Sequence, residues 1–195
     1  MKYLVLLIAF LLCSSSQLFS QNAELRKLME EDQAVRQPGK EITGDDDRIK
    51  QVLELLAKGA AQTPEDKFNA ALVLQHTPLT FCEGRIVAES PYNFLLAHYL
   101  AKESYEGGYK NARQLIAATI DRYLSFTVGH QKYGTNRVFN EKTGKEELVP
   151  IDREIPDSER AEYGVAPLAE LLKQYPEQKA ERRSATSTKA HKKTR

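Results

Sequence analysis

The sequence has no Trp and only two Cys among its 195 residues, and its 28 Lys+Arg are almost cancelled by 27 Asp+Glu. It contains no P-loop, no Gly-rich dinucleotide fingerprint, no Gly-x-Ser-x-Gly elbow and no Cys-x-x-Cys pair, so the chemistries that need those strings are set aside. Mean hydropathy is -0.52 and a single long apolar run is present, which excludes a polytopic membrane protein. Apolar residues still make up 41% of the chain, enough for one packed core and too many for wholesale disorder.

The two ends differ from the middle. Met1 and Lys2 precede an apolar run from Tyr3 to Leu12, followed by Ser14, Ser15 and Ser16, the layout of a secretory signal peptide. Ten apolar residues are too few to cross a bilayer as a helix. We take residues 1–20 as the leader and Gln21 as the first mature residue, with cleavage after Ser16 as the alternative. Anchoring as a lipoprotein through Cys13 is less favoured, because Leu12 stands where a small residue is expected. The expected location is therefore outside the cytoplasm, periplasmic or secreted.

Residues 179–195 carry seven basic side chains against Glu181 alone, with no periodic apolar positions, and read as a basic disordered tail. The tail is expected to be a solvating segment, with contact to anionic surfaces as the alternative. Between the ends, residues 21–178 hold 20 basic and 26 acidic residues, a net of -6, which makes nucleic acid an unlikely partner. Cys82 is the only cysteine left, so no internal disulfide can form, and a small buried hydrophobe is its expected role.

The periodicity of the middle segment predicts a mainly α single domain of about five longer helices, with a small β-hairpin and two short C-terminal helices. Helix one is expected over Asn22 to Arg36, before Pro38-Gly39. Helix two starts at the acidic run Asp45-Asp46-Asp47 and stops at Gly59. Thr63-Pro64 and Ser90-Pro91 are N-cap and first-turn pairs that open helices three and four. Helix three is apolar nearly all round from Phe68 to Leu74 and is expected at the centre; the stretch through Cys82 and Gly84 reads as irregular. Helix five covers Asn111 to Val128. The hairpin is expected from Arg137 to Asn140 and Glu147 to Ile151, and the short helices from Asp157 to Tyr163 and Pro167 to Tyr175.

Polar residues inside apolar helical faces are costly to bury unless paired or used. Gln75 and His76 close helix three, His98 shares a face with Phe94 and Ala101, and Asp121-Arg122 interrupts an otherwise apolar helix five. Adjacent helical residues diverge by about 100°, so Asp121 and Arg122 are expected to answer different partners. For Arg122 the structural expectation is a loop carbonyl or an acid such as Asp32 or Asp152, and the functional one is a fork for a carboxylate or other anion. The loop after helix five, with His130, Gln131, Tyr133 and Thr135, is dense in groups that donate or accept.

Asp32-Gln33 with Arg36, Leu74-Gln75-His76, Asp121-Arg122, Gly129 with Gln131 and Tyr133-Gly134-Thr135, then Pro150-Ile151-Asp152, Asp157, Arg160, Gly164-Val165 and Pro167-Leu168 resemble a bacterial domain-of-unknown-function family. The likeness runs over about Asp32 to Leu172. The family's Gln-x-Tyr-Gly-Thr-Gln string ends in Asn136 here. The resemblance implies a shared helical fold and a shared cluster of polar positions, and no reaction.

Two classes of function follow. The first is an exported binding or interaction module of the cell envelope, taking an envelope ligand or protein partner, with Gln75, Arg122, Gln131 and Thr135 as ligand-binding residues. The second is a cofactor-independent hydrolase or lyase acting on an extracytoplasmic substrate. There His76 would be general acid or base, Asp121 would orient or activate, Arg122 would hold an anionic group and Tyr133 would assist. No cofactor is expected. Metal binding is the thinnest option, because His76, His98 and His130 fall on different elements without zinc-like spacing.

Overall fold

The computed structural model describes residues 20–82 and 85–178. The predicted leader up to residue 19, with Cys13, and the basic tail 179–195 lie outside the described residues. The chain is mainly α. Among the described residues five longer helices come first: α1 (Ala23–Ala34), α2 (Asp45–Ala57), α3 (Pro64–Leu74), α4 (Pro91–Glu106) and α5 (Arg113–Thr127), the last entered through a 3-10 turn at Lys110–Ala112. Two short helices, α6 (Asp157–Glu162) and α7 (Leu168–Gln174), follow near the C-terminal end.

Local chemistry sets the helix starts. Asn22 caps α1 by accepting from the N–H groups of Glu24 and Leu25. The acidic run begins α2, where three carboxylates meet the positive end of the helix dipole. Thr63 and Asp66 form a reciprocal capping box on α3, with Pro64 in its first turn. The centre of α3 is sealed as expected: Ala70, Ala71, Val73 and Leu74 are all fully buried. Around them pack Leu25 and Leu28 of α1, Ile49, Val52 and Leu55 of α2, Ala97 and Ala101 of α4, and Leu115 and Ile116 of α5.

Helix directions follow from paired contacts at both ends. Asn22 N–H donates to Asp66, and His76 meets Asp32, both at a separation of 44, so α1 and α3 run parallel. Ser104 donates to the Pro64 carbonyl and Glu89 N–H to that of Pro78, which makes α4 antiparallel to α3. Phe94 stacks on Phe126 and His98 meets the Ile116 carbonyl, so α5 is antiparallel to α4. The C-terminal ends of α1 and α3 and the C-terminal half of α5 therefore share one end of the bundle with the start of α2.

Two hairpins are present. The expected one pairs β3 (Arg137–Asn140) with β4 (Lys145–Leu148), so its second strand lies earlier than Glu147 to Ile151. Gly144, at φ +66°, lets the chain turn back at once, and Leu148 already faces Arg137. The other hairpin, β1 (Leu79–Cys82) with β2 (Arg85–Ala88), occupies the stretch read as irregular. Cys82 is exposed there, at the end of β1, not buried. A small second core of Leu148, Ile151 and Leu171, with Val165, Leu168 and Leu172, supports the C-terminal third. No described helix is long and apolar enough to cross a membrane.

Candidate functional site

The candidate residues divide into two groups. Asp121, Gln131, Tyr133 and Thr135 meet in a knot just after α5. The carboxylate of Asp121 is fully buried and takes five donors. Oδ1 accepts from the N–H of Lys132 and of Tyr133, each at 2.8 Å. Oδ2 accepts from the N–H of Gly134 and of Thr135 at 2.9 Å and from the Thr135 hydroxyl at 2.7 Å. Four successive backbone N–H groups wrapped on one carboxylate are the arrangement that orders a loop.

Gln131, also fully buried, spends its whole side-chain amide locally. Its Nε2 donates to the carbonyls of Asn136 and Val149, and its Oε1 accepts from Asn136 N–H. Gly134 sits at φ +103°, and a Cβ there would lie 2.6 Å from Ile151 Cδ1 and 2.7 Å from Leu171 Cδ1, so both conformation and space require glycine. Arg160 closes the knot from α6 by donating to the carbonyls of Tyr133, Ile155 and Asp152.

Tyr133 is 3% exposed, and its hydroxyl donates to Glu159 at 2.9 Å. Burial, then that bond, pushes the phenol well above its ordinary range and keeps it a donor. Lys132 reaches the same Glu159 oxygen at 2.7 Å. The hydrogen bonds from Lys132 and Tyr133 hold the Glu159 carboxyl below its usual value. Each polar group in this knot that could move a proton is already engaged.

The second group lies at the shared end of α1, α3 and α5. Asp32, 1% exposed, meets His76 Nδ1 and Gln33 Nε2 at 2.8 Å on Oδ2, while Arg36 Nη1 donates to its backbone carbonyl and pairs by charge alone with Oδ1 at 2.8 Å. A carboxylate only accepts, so His76 carries a proton on Nδ1, which leaves Nε2 as the acceptor of the neutral ring. Arg36 Nη2 also donates to both carboxylate oxygens of Asp45 at 2.9 Å, and Arg48 joins Asp45 from the next turn of α2. Asp32 and Asp45 thus hold Arg36, Arg48 and His76 together.

Arg122 is the group left over. It donates to the carbonyl of Gln75, the C-cap of α3, and forms no ion pair with any described carboxylate. Its guanidinium is pushed below its ordinary value by burial and then by the like charge of Arg36. The buried unpaired side-chain atoms of the described residues include none of the Arg122 nitrogens and not His76 Nε2, so these donors and this acceptor are not sealed in. Arg122 and Asp121 answer different partners from different faces of α5. Arg122 reaches the backbone carbonyl of Gln75, next to His76, and Asp121, Gln131, Tyr133 and Thr135 form the separate knot.

Reading the chain residue by residue did not single out Asp32, Arg36, Asp45 and Arg48 as members of one cluster. The available signal was the pair Asp32 and Arg36, one helical turn apart at the end of α1. His98 is a core histidine whose Nδ1 lies 2.9 Å from the Ile116 carbonyl, and burial lowers its pKa. Among the described residues, no group of three or more His, Cys, Asp or Glu side chains is placed to hold a metal ion. A shallow depression at the other end of the bundle, lined by Gln21, Thr63, Glu65 and Tyr109, contains none of the candidate residues. No family model, curated protein or solved structure matches the chain.

Proposed function

We propose that this protein is an exported binding module of the bacterial cell envelope that takes a small anion at the Arg122 and His76 end of the bundle. One observation carries the reading: Arg122 is a largely desolvated guanidinium with a single carbonyl acceptor, no carboxylate and a second arginine beside it. A fork in that position is incompletely satisfied by the fold and is matched by a carboxylate or phosphate. The leader-like 1–20 segment and the likeness to the bacterial family of unknown function belong to the same proposal.

Isothermal titration of the full chain with inorganic phosphate and with acetate tests it. Binding that is lost in Arg122→Gln, a variant that retains the expected fold by circular dichroism, supports the reading. Equal binding by wild type and variant removes it.

A second reading, a cofactor-independent hydrolase or lyase, is favoured by the Asp32–His76 contact alone. That contact orients an imidazole with Nε2 directed away from its carboxylate, as a general base requires. In this reading Asp32, and not Asp121, is the orienting acid. Turnover of a cell-envelope substrate that disappears in His76→Gln would put it ahead of the binding module.

A further inference from the structure

The ligand-facing groups at this end differ in kind. Arg122 brings positive charge and a set of N–H donors. In its neutral form His76 brings an acceptor at Nε2, because its Nδ1–H is the group that faces Asp32. Arg122 is bound to the carbonyl of Gln75, the residue immediately before His76. A bare oxyanion can satisfy the guanidinium and only repels the lone pair on Nε2. An oxyanion with a hydroxyl proton satisfies both.

We propose that the ligand is an oxyanion carrying its own O–H group, with the anionic oxygens on Arg122 and the hydroxyl donating to His76 Nε2. Asp32 is then a positioning residue that selects the acceptor form of the ring. This inference rests on the anion reading above and adds the ligand's class. The shared chemistry has two sources, a hydrogen phosphate group and a hydroxy acid.

Two matched probe pairs separate them, only one member of each carrying a hydroxyl donor: inorganic phosphate against sulfate, and glycolate against acetate. Titrated into the full chain at pH 8, the hydroxyl-bearing member of at least one pair is expected to bind about tenfold more tightly or better. The pair that shows the preference identifies the source. Binding of both members with no preference in either pair overturns this inference and leaves the anion reading standing. Absence of binding by all four overturns both.

Asp32→Asn supplies the positioning test. The expected result is loss of the hydroxyl preference with anion binding retained, whereas a merely structural loss would weaken both members of a pair equally. Nitrogen-15 NMR of wild-type His76 gives a readout that needs no variant. A ring protonated on Nδ1 at pH 8 is expected, and a ring protonated on Nε2 overturns the proposal.

Discussion

His76 Nδ1 lies 2.8 Å from Asp32 Oδ2, at the same separation of 44 residues that joins Asn22 to Asp66 ten residues earlier on each helix. The parallel register of α1 and α3 therefore places this contact, and the capping contact at one end fixes the imidazole at the other. Arg36, one turn after Asp32, is drawn into the same end, where Asp45 at the start of α2 meets it. Arg122 enters from α5 without such a partner. That difference separates the charges that hold the fold from the one we propose for a ligand.

Asp121 is the clearest structural charge. Asp121→Asn replaces an acceptor oxygen with an amino group facing N–H donors, and is expected to cost about 3 kcal/mol or more. Urea unfolding measures the loss, and hydrogen exchange at Lys132, Tyr133, Gly134 and Thr135 is expected to accelerate together. Unchanged exchange at those four amides would contradict the ordering role.

Arg160→Met is expected to cost about 3 to 5 kcal/mol, because three carbonyls lose their donor around a fully buried side chain. Chemical denaturation checks it. A loss below about 1 kcal/mol would show that water replaces the guanidinium at little cost.

These locally encoded and long-range features were not equally legible. Asp45 at a helix start, the Thr63-Pro64 cap and the apolar girth of α3 are short-range signals, and the helices fall where they point. The β1–β2 hairpin was missed although Leu79 and Phe81 alternate, because its apolar face stays exposed and no burial pattern distinguishes it. Cys82 went with that error. The second strand of the other hairpin was displaced because Gly144 turns the chain back sooner than the strand propensity suggested. The pairing of Asp32 with His76 depends on helix register across 44 residues, which no local spacing expresses. Gln131 and Asp121 were recognisable as unusual polar residues, but their occupation by backbone groups of one loop was not.

Tyr133 makes stability depend on pH at the alkaline end. Its folded phenol titrates above the unfolded value of about 10, so the stabilisation is complete below that pH and is lost as pH rises past it. Unfolding free energy of wild type is expected to fall above about pH 10 more steeply than that of Tyr133→Phe. Parallel curves would show that Tyr133 ionises as freely in the fold as in the unfolded chain.

His98 acts at the acid end. Burial holds it below the ordinary 6.5, aided by Lys102 and Lys132 and opposed by the Ile116 carbonyl. The unfolded chain takes the proton first, so this contribution is lost as pH falls from about 6.5 through the folded value and is constant beyond it. The stability difference between wild type and His98→Gln is expected to narrow from pH 7 to pH 5. An imidazole titrating at 6.5 by proton NMR would abolish this dependence, and one titrating above it would reverse the sign.

Urea unfolding of the full chain and of Arg122→Met, which preserves most of the side-chain volume and removes the charge, tells a ligand-holding charge from a structural one. A charge kept for a ligand at the fold's expense predicts stability within about 1 kcal/mol of wild type, or higher. A loss of about 3 to 5 kcal/mol would make Arg122 a structural ion like Arg160 and contradict the account.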